Sequence, residues 1–427
     1  MMRGAQPQQG MTTLVTVMVL FFIMALVAAY ANRNLIVEQR VAQSYQALGY
    51  TTEASHQAVH RLISLLNSDK IDENCEPADD GPGTLRQRLL EFGDSGEIRS
   101  PAAGVNALVV EDSPFTVICD RSRPGNWQCQ CPLNLQPVAQ TDDGEARESM
   151  VMRVRPFPGA QGISRVGLSV HACAGHSAGC LDRYQSEFAQ VRRVQTLALL
   201  RALKMPPVSA LVARGTVDLG AGMAVVNNEA GSGGLALHAG GAVQGSMAKI
   251  GGPAGSPPGS SLLSSDAALS ALDEANFFRR FFGLGFTDYI AQPAMRKLDC
   301  GIGGDCSAAL KALVDRGAQL IWHDGDLSLS SEATLGSADL PVLLLVRGRL
   351  TINSPVSFFG LIYARDEVSW TNPSANASVI QGALLAGGAV NGDAGATALF
   401  DGAILDRLKL RSGSFVPLPG GSWSRKW

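Results

Sequence analysis

A stretch of 21 uncharged residues near the start of the chain, Met11 to Ala31, limits most strongly how this protein can fold. About 20 consecutive apolar residues in a helix are enough to cross the ~30 Å hydrocarbon layer of a membrane. Polar helix-forming residues follow, and the first Gly or Pro after Met11 is Gly49. One continuous helix is therefore predicted over residues 11–66, with its first half in a membrane.

The second half of this helix carries an amphipathic stripe. Its apolar members lie three or four residues apart, with Thr52 and Ser55 filling a gap: Val41, Tyr45, Leu48, Val59, Leu62 and Leu66. This spacing places the side chains on one helical face, which predicts a globular domain packed against that face. Residues 67–205 are expected to supply it, because five segments with an alternation of period two predict an antiparallel sheet: 107–110, 115–118, 150–155, 166–170 and 188–194.

The chain has eight cysteines: Cys75, Cys119, Cys129, Cys131, Cys173, Cys180, Cys300 and Cys306. An even number behind a membrane-insertion signal predicts disulfides formed in an oxidising compartment. Two Gly-containing loops, Cys173–Cys180 and Cys300–Cys306, are each expected to be closed by their own pair. The other four cysteines allow three pairings. A zinc site built from Cys129, Cys131, Cys173, Cys180, His171 and His176 is the alternative, although these spacings lack a C-x2-C pair.

From about residue 206 the chain becomes rich in Gly, Ala and Val and repeats itself. Ala236–Val243 matches Ala383–Val390 at seven of eight positions. Two further Gly-marked patterns recur: one at Gly360, Gly382 and Gly402, and one at Gly325/Leu327, Gly348/Leu350, Asp366/Val368 and Gly388/Val390. Self-similarity at about 20 residues is typical of solenoids. A parallel β-helix is therefore predicted over residues 206–408, with a Gly-rich β-sandwich as the alternative.

A helical insertion is predicted within this region, at residues 264–316. Phe277, Phe278, Phe281 and Phe282 recur there at helical spacing after a helix-start signal at Asp266. These rings are expected either to pack on the β-helix or to form an exposed patch for a partner. Residues 409–427 are expected to be a C-terminal tail. The predicted fold class is thus α+β and all-β.

The two ends of the chain resemble the PilX-type minor pilins of type IV pili. Residues 1–10 form a polar leader that ends at Gly10, as in prepilins. The segment Val37-Glu38-Gln39-Arg40-Val41-Ala42 is similar to the L-E-E-R-M-A-like segment of that family, and Glu53-Ala54 to its Glu-Ala pair. The ending Val416-Pro417 with Gly420-Gly421-Ser422-Trp423 is similar to the family's V-P-G-S-W-like element.

This resemblance implies that prepilin peptidase cuts between Gly10 and Met11. It also implies an inner-membrane anchor, a periplasmic globular part, and assembly with other pilins through the N-terminal helix into a filament at the cell surface. One departure is Val15, where most major pilins have Glu, five residues after the cleavage point. PilX-like proteins and the K-type pseudopilins of type II secretion often lack that Glu, so a pseudopilin is the alternative within this class.

Other classes of protein are weighed against this one. A secretory signal peptide would be cut after Ala29-Tyr30-Ala31, and a plain membrane anchor would keep Met1. A membrane-anchored β-helix adhesin would also use residues 11–31, although the sequence identifies no receptor. The formal net charge of −3 provides no basic excess for nucleic acid.

The sequence predicts no catalytic residue, metal site or cofactor. It contains no G-x-S-x-G, H-E-x-x-H or Walker A pattern. An enzyme acting on polysaccharides would need acids and bases clustered on one face of the β-helix, and the candidates are sparse: Asp324, Asp326, Arg365, Asp366 and Glu367. The segment from His323 to Asp326 is interpreted as a turn before a strand at Leu327.

Overall fold

The computed structural model describes residues 10–99, 116–121, 125–132, 148–156, 164–174, 190–257, 259–301, 304–374 and 376–418. The helices of this part of the chain are α1 Gly10–Leu66, α2 Leu85–Leu89, α3 Ala267–Ser270, α4 Glu274–Phe282, α5 Phe286–Ile290, α6 Ser307–Asp315 and α7 Gly402–Arg411. Two 3-10 turns lie at Ala230–Ser232 and Met247–Lys249.

The strands fall into a hairpin, one antiparallel sheet and two parallel sheets. The hairpin is β1 Glu91–Phe92 and β2 Ile98–Arg99. The antiparallel sheet contains β3 Thr116–Arg121, β4 Gln128–Gln130, β5 Glu148–Pro156, β6 Arg165–Cys173, β7 Gln190–Arg201 and, from the end of the chain, β26 Gly413–Pro417.

The strands of the larger parallel sheet are β8 Leu211–Ala213, β10 Ala224–Val226, β11 Leu237–Ala239, β13 Ile250–Gly251, β14 Leu262–Leu263, β15 Met295–Lys297, β16 Leu320–His323, β18 Ala333–Leu335, β19 Val342–Val346, β21 Val356–Ala364, β23 Ser378–Ala386 and β25 Ala396–Phe400. The smaller one contains β9 Val217–Asp218, β12 Val243–Gln244, β17 Leu327–Leu329, β20 Leu350–Ile352, β22 Val368–Trp370 and β24 Val390–Gly392.

The predicted N-terminal helix is present as α1, which at ~1.5 Å per residue is about 85 Å long. Its side chains are exposed from Thr13 to Gln46. From Thr51 onward one face is buried, with members three or four residues apart: Thr51, Ala54, Ser55, Ala58, Val59, Leu62, Leu65 and Leu66. The predicted stripe was therefore wrong at Val41 and Tyr45, which stay 48% and 72% exposed because the sheet begins to cover the helix only at Thr51.

The buried half of α1 packs on the antiparallel sheet, whose strand order is β26-β7-β6-β5-β3-β4. Alternate residues of each strand face the helix, so Met150, Met152, Leu168 and Val170 share one core with Leu62. The edge strand β26 comes from the predicted tail, which the sequence had not assigned to this sheet. The predicted strand at 107–110 lies outside the described residues, as do Phe115 and residues 188–189.

The parallel strands are not stacked in the order of the sequence. Strand β23, from the end of this region, pairs with β8, from its beginning, and β8 pairs in turn with β11. The strands that come first in the sequence therefore lie beyond β23 in the sheet. A third, similar octapeptide, Ala210–Val217, consequently lies between the two repeated octapeptides in the sheets, and its residues are aligned with theirs. Val390 aligns with Val217, and Val217 aligns with Val243.

The recurring glycines occupy equivalent positions in two of the three predicted cases. Gly360 and Gly382 face each other across β21 and β23 with φ values of +142° and +131°. A Cβ at either position would overlap a carbonyl oxygen of the neighbouring strand, so only Gly fits. The third case was wrong: Gly402 begins helix α7, because Asp401 caps it by accepting a hydrogen bond from the N–H of Ile404 at 3.0 Å.

The helical segment after β14 connects opposite edges of the larger parallel sheet, since β14 pairs with β11 and β15 pairs with β16. It therefore differs from the predicted insertion between adjacent strands. Its aromatic rings are buried against the outward side of β21, where Phe278 lies 5.0 Å from Tyr363 between ring centroids. The interpretation as a packing surface is confirmed, and the exposed patch was wrong.

Candidate assembly surface

The exposed half of α1 is the largest uncovered apolar surface among the described residues. Within the described chain, α1 is the one helix that is long and apolar enough to cross a membrane. Its most apolar 18-residue window has a mean hydropathy of 2.6, and none of that window is buried. Phe21 and Phe22 expose 73% and 66% of their surface. In water this surface would be strongly unfavourable, so it requires lipid or other apolar helices.

The exposed part of α1 is longer than a membrane span would need. Residues 32–46 add 15 residues to the uncharged stretch 11–31, which is about 22 Å of helix. This stretch carries exposed apolar side chains, including Val37, Val41 and Tyr45. At ~100° per residue, Val41 lies in the same direction around the helix axis as Val59, about five turns further on, and Tyr45 is rotated by roughly 40° beyond it. The exposed stripe therefore continues one border of the face that packs on the sheet, before the point at which the sheet begins to cover the helix.

A shallow groove continues this stripe along α1. Its lining includes Gly49, Thr52, His56, His60 and Trp127. The indole N–H of Trp127 donates to the side-chain oxygen of Gln57 at 2.9 Å, which holds the β4 end of the sheet against the helix. His56 and His60, four residues apart on α1, thus line one groove. Burial, followed by the nearby charges of Arg193 and His60, lowers the pKa of His56.

The C-terminal end of α1 is fixed by two half-buried arginines. Arg86 donates to the carbonyl oxygen of Gly413 at 2.8 Å and lies over the ring of Phe415. Burial, with a smaller contribution from Arg296, lowers the pKa of Arg86 to about 10. Arg296, on β15, donates to the carboxylate of Asp69 at 2.8 Å. These contacts join the end of α1 to the antiparallel sheet and to the larger parallel sheet.

Disulfides support the same region. Cys75 is bonded to Cys131, and Cys119 to Cys129, which selects one of the three pairings left open by the sequence. Cys300 and Cys306 close their short loop as predicted. Cys173 is also disulfide-bonded, and its predicted partner, Cys180, lies outside the described residues. Because Cys129 and Cys131 are in bridges, they are not thiolate ligands for the alternative zinc site.

The predicted cleavage point lies at the start of α1. Gly10 is the first residue of the helix, and Met11 follows within it. The leader residues 1–9 and the side chain of Met11 lie outside the described part of the chain.

The five charged residues considered for an enzyme lie at successive turns between the parallel sheets and tie these turns together. Asp324 pairs with Arg347 at 3.2 Å, and Asp326 accepts from the N–H of Arg349 at 2.7 Å. The remaining members are also paired: Glu367 with Arg349 at 3.4 Å, and Arg365 with Glu274 at 3.1 Å and with Asp366 at 3.5 Å. The predicted turn before Leu327 is present.

One capping residue was missed by the sequence analysis. Asp305 covers the edge of β17 by accepting from the N–H groups of Ser307 at 3.0 Å and Ser330 at 2.9 Å. Burial raises its pKa, but hydrogen bonds from Ser307, Ser331 and the backbone outweigh this and hold the pKa well below its usual range. The sequence signal was its position directly before Cys306, in a loop closed by a disulfide.

Comparison with known proteins identified no relatives. No family model matches the chain, no curated protein matches it, and no solved structure matches it.

Proposed function

We propose that this chain is a minor pilin of a type IV pilus, similar to the PilX type. The observation that carries the proposal is the exposed apolar helix α1, whose last turns alone are covered by an antiparallel sheet. Such a helix is suited to two successive environments: the lipid of the inner membrane, and the side-by-side helices of a filament. The polar leader that ends at Gly10 supports the same proposal.

The assembly step follows from the two halves of α1. In the second half, the face of Ala54, Ala58 and Leu62 is occupied by the chain's own sheet. In the first half, the exposed side chains, including Val41 and Tyr45, pack on helices of other pilins once the chain leaves the membrane. Because the contacts of Arg86 and Arg296 join α1 to both sheets, the position of α1 in a filament would also fix the orientation of the globular part.

We further propose that the parallel sheets form a β-helix, displayed on the filament for assembly or adhesion. Its support is the in-register alignment of Leu327, Leu350, Val368, Val390 and Val217 across five strands of the smaller sheet. The outward neighbours of these residues are polar, as in Ser328, Thr351 and Asn391. Alternation of buried aliphatic and outward polar side chains suits a stack with one face toward water.

N-terminal sequencing of the mature protein tests the pilin proposal. A prepilin yields Met11 as the first residue, a cleaved signal peptide yields Asn32, and a plain anchor yields Met1. Co-purification with pilus filaments or with a type II secretion complex then separates the pilin from the pseudopilin. A mature chain that begins at Asn32 lacks the membrane span and removes the proposal entirely.

A further inference from the structure

One edge of the parallel sheets ends in an incomplete layer. After β13, the chain adds β14 beside β11, and the N–H groups of Ser265 and Asp266 donate to Gly241 at 2.8 Å and Ala239 at 3.1 Å. At Asp266 the chain turns into α3 and leaves the layer. Within the described residues, no strand lies on the outer sides of β12 and β13. We call these two outer sides, at Val243–Gln244 and Ile250–Gly251, the open edge.

Backbone groups point out of the open edge. The carbonyl oxygens of Ala242 and Gln244 accept from Val217 at 3.0 Å and from Leu219 at 2.9 Å, both on the β9 side. Because backbone groups alternate in direction along a strand, the N–H and C=O of Val243 point away from β9. The carbonyl of Gly251 likewise accepts from Asn227 at 2.9 Å, which directs the carbonyl of Ile250 outward.

The side chains at the open edge are mostly apolar and only partly covered. Val243 and Ile250 are half-buried, whereas their counterparts one layer inward, Val217 and Val225, are fully buried. Met247, between the two strands, is 46% exposed. The one charged side chain between residues 242 and 252, Lys249, reaches back to the carbonyl oxygen of Ala394 at 3.5 Å. Because this contact draws Lys249 toward the inner layer, it does not place a charge across Val243, of the kind that commonly prevents strand addition.

Other sheet edges are covered by the chain itself. The opposite edge has β15, with Arg296 paired to Asp69, and the disulfide-closed loop in which Asp305 caps β17. The edge at β26 is covered by side-chain hydrogen bonds from Asn67 and Arg86. At the opposite edge, the short strand β15 pairs with β16 as the outermost parallel strand. A short extended strand is therefore the kind of element that completes such a layer.

The size of the open edge favours a segment over a folded partner. Its two strands and the turn between them span only residues 243–251. A stable dimer of folded proteins buries ~1,200–2,000 Å² in total, which so short an edge does not provide by itself. An extended segment instead gains its affinity from backbone hydrogen bonds, with side-chain pockets adding specificity.

We propose that the open edge binds an extended, largely uncharged segment of about ten residues from another protein subunit. The segment continues the layer that this chain begins at β14. Its backbone bonds to Val243 and Ile250, and aliphatic side chains on its inner face cover the same two residues. This inference goes beyond the proposed function and holds whether or not the chain is a pilin.

Hydrogen exchange on the full-length protein in detergent tests the proposal. The probe is a synthetic peptide with the sequence of residues 389–400, AVNGDAGATALF, whose strands β24 and β25 cover β9 and β10 in the same way. Saturating peptide should slow exchange of the fragment 242–251 by at least about tenfold, the effect of ~1.4 kcal/mol of binding. A scrambled peptide of the same composition should have no effect.

Two variants locate the binding. Val243→Pro removes the outward N–H, a position where an edge strand tolerates Pro, and should weaken peptide binding by at least about tenfold. Asn353→Ser, at an exposed turn position outside the open edge, should leave binding unchanged. If the wild-type fragment is not slowed, or is slowed equally by the scrambled peptide, the proposal is wrong. If the fragment becomes protected without peptide as protein concentration rises, the occupant is a second copy, and the proposal is equally wrong.

Discussion

The side-chain amide of Asn67 bonds to both backbone groups of Phe415. Its Nδ2 donates to the carbonyl oxygen of Phe415 at 2.9 Å, and its Oδ1 accepts from the N–H of Phe415 at 2.8 Å. The same Nδ2 donates to the carbonyl of Ile63 at 2.9 Å. Asn67 directly follows α1, and Phe415 is the middle residue of the edge strand β26. One side chain therefore joins the end of the helix to the last strand of the sheet and closes the sheet edge.

Replacing Asn67 with Ala should destabilise the protein by about 2–4 kcal/mol. The substitution leaves the N–H and C=O of Phe415 buried without partners, and each such group costs ~1–3 kcal/mol. Chemical denaturation of the globular part measures the effect. Asn353→Ala, at an exposed position in a turn, is the control and should change stability by less than about 0.5 kcal/mol. Equal stability of the two variants would show that Asn67 does not hold the sheet edge.

Replacing Gly10 with Val should leave full-length precursor in the membrane. A peptidase must approach the backbone closely at the cleavage point, and a branched side chain obstructs this approach. Immunoblotting of membrane fractions separates the precursor from the mature chain by the mass of ten residues. Gly4→Val, within the same leader, is the control and should be processed normally. Normal processing of the Gly10 variant would remove the prepilin interpretation.

Two glycine-to-alanine substitutions should act in opposite directions. Gly382 has a positive φ and no room for a Cβ, so Gly382→Ala should cost at least about 2 kcal/mol. Gly49 lies inside α1 with no heavy atom within 4 Å of a Cβ, so Gly49→Ala should stabilise the helix by about 0.5–1 kcal/mol. Thermal unfolding compares both with the wild type. A destabilised Gly49→Ala protein would contradict the open space that the structure places around this residue.

Asp substitutions of the stacked valines should differ in severity. Val243 and Val390 end the two matching octapeptides, but only Val390 is fully buried, because Val243 lies in the edge strand β12. Val390→Asp buries an unpaired charge and should cost at least about 3 kcal/mol. Val243→Asp should cost clearly less, and Asp at the exposed neighbours Gln244 and Asn391 should be tolerated. Soluble yield and circular dichroism rank the four variants.

The stability of the antiparallel sheet should fall as pH is lowered from about 6.5 to 4. Burial, followed by the nearby charges of Arg192 and Arg153, lowers the pKa of His171 from 6.5 to about 4. The unfolded chain therefore binds this proton more readily, so the stabilisation is complete above pH 6.5 and is lost as pH falls toward 4. Denaturation at pH 7 and pH 4.5 should show a loss of about 2 kcal/mol from this residue. For His171→Gln, the free energy of unfolding at pH 4.5 is compared with that of the same variant at pH 7. The loss of about 2 kcal/mol that comes from His171 should then be absent.

Local periodicity was sufficient to predict α1, several strands of the antiparallel sheet and the alignment of the repeats. The spacing that marks Leu327, Leu350, Val368 and Val390 places them in register, because these residues occupy the same position after each turn. The helix at Gly402 also had a signal, since Asp401 is followed by Ile404, Leu405 and Leu408 at helical spacing. The match of Gly402 to the Gly360 and Gly382 pattern had instead indicated a further strand at this position.

The order of the parallel strands could not be predicted from periodicity. The octapeptides at 210–217, 236–243 and 383–390 are so alike that each would pack equally well beside several others. Their arrangement depends on where the helical segment returns to the sheet, at β15, which is a long-range property. The pairing of β26 with β7 and the hydrogen bonds from Asn67 to Phe415 also join residues far apart in the sequence. Neither the sequence around Asn67 nor that of β26 identifies its partner.

Some strands near the start of the parallel sheets pair with strands that are synthesised much later, and this affects how the chain folds during translation. Arg214 bonds to the carbonyl of Gly387, 173 residues later in the chain. At a translation rate of ~5–20 residues per second, the outer side of β8 waits about 10–30 s for its neighbour, and Asn67 waits longer still for Phe415. During this interval the unpaired strand edges of the nascent chain are accessible to chaperones and proteases. A chain truncated just before residue 413 still covers β8 but lacks β26, so the edge of β7 in the antiparallel sheet stays uncovered until the last strand has been synthesised.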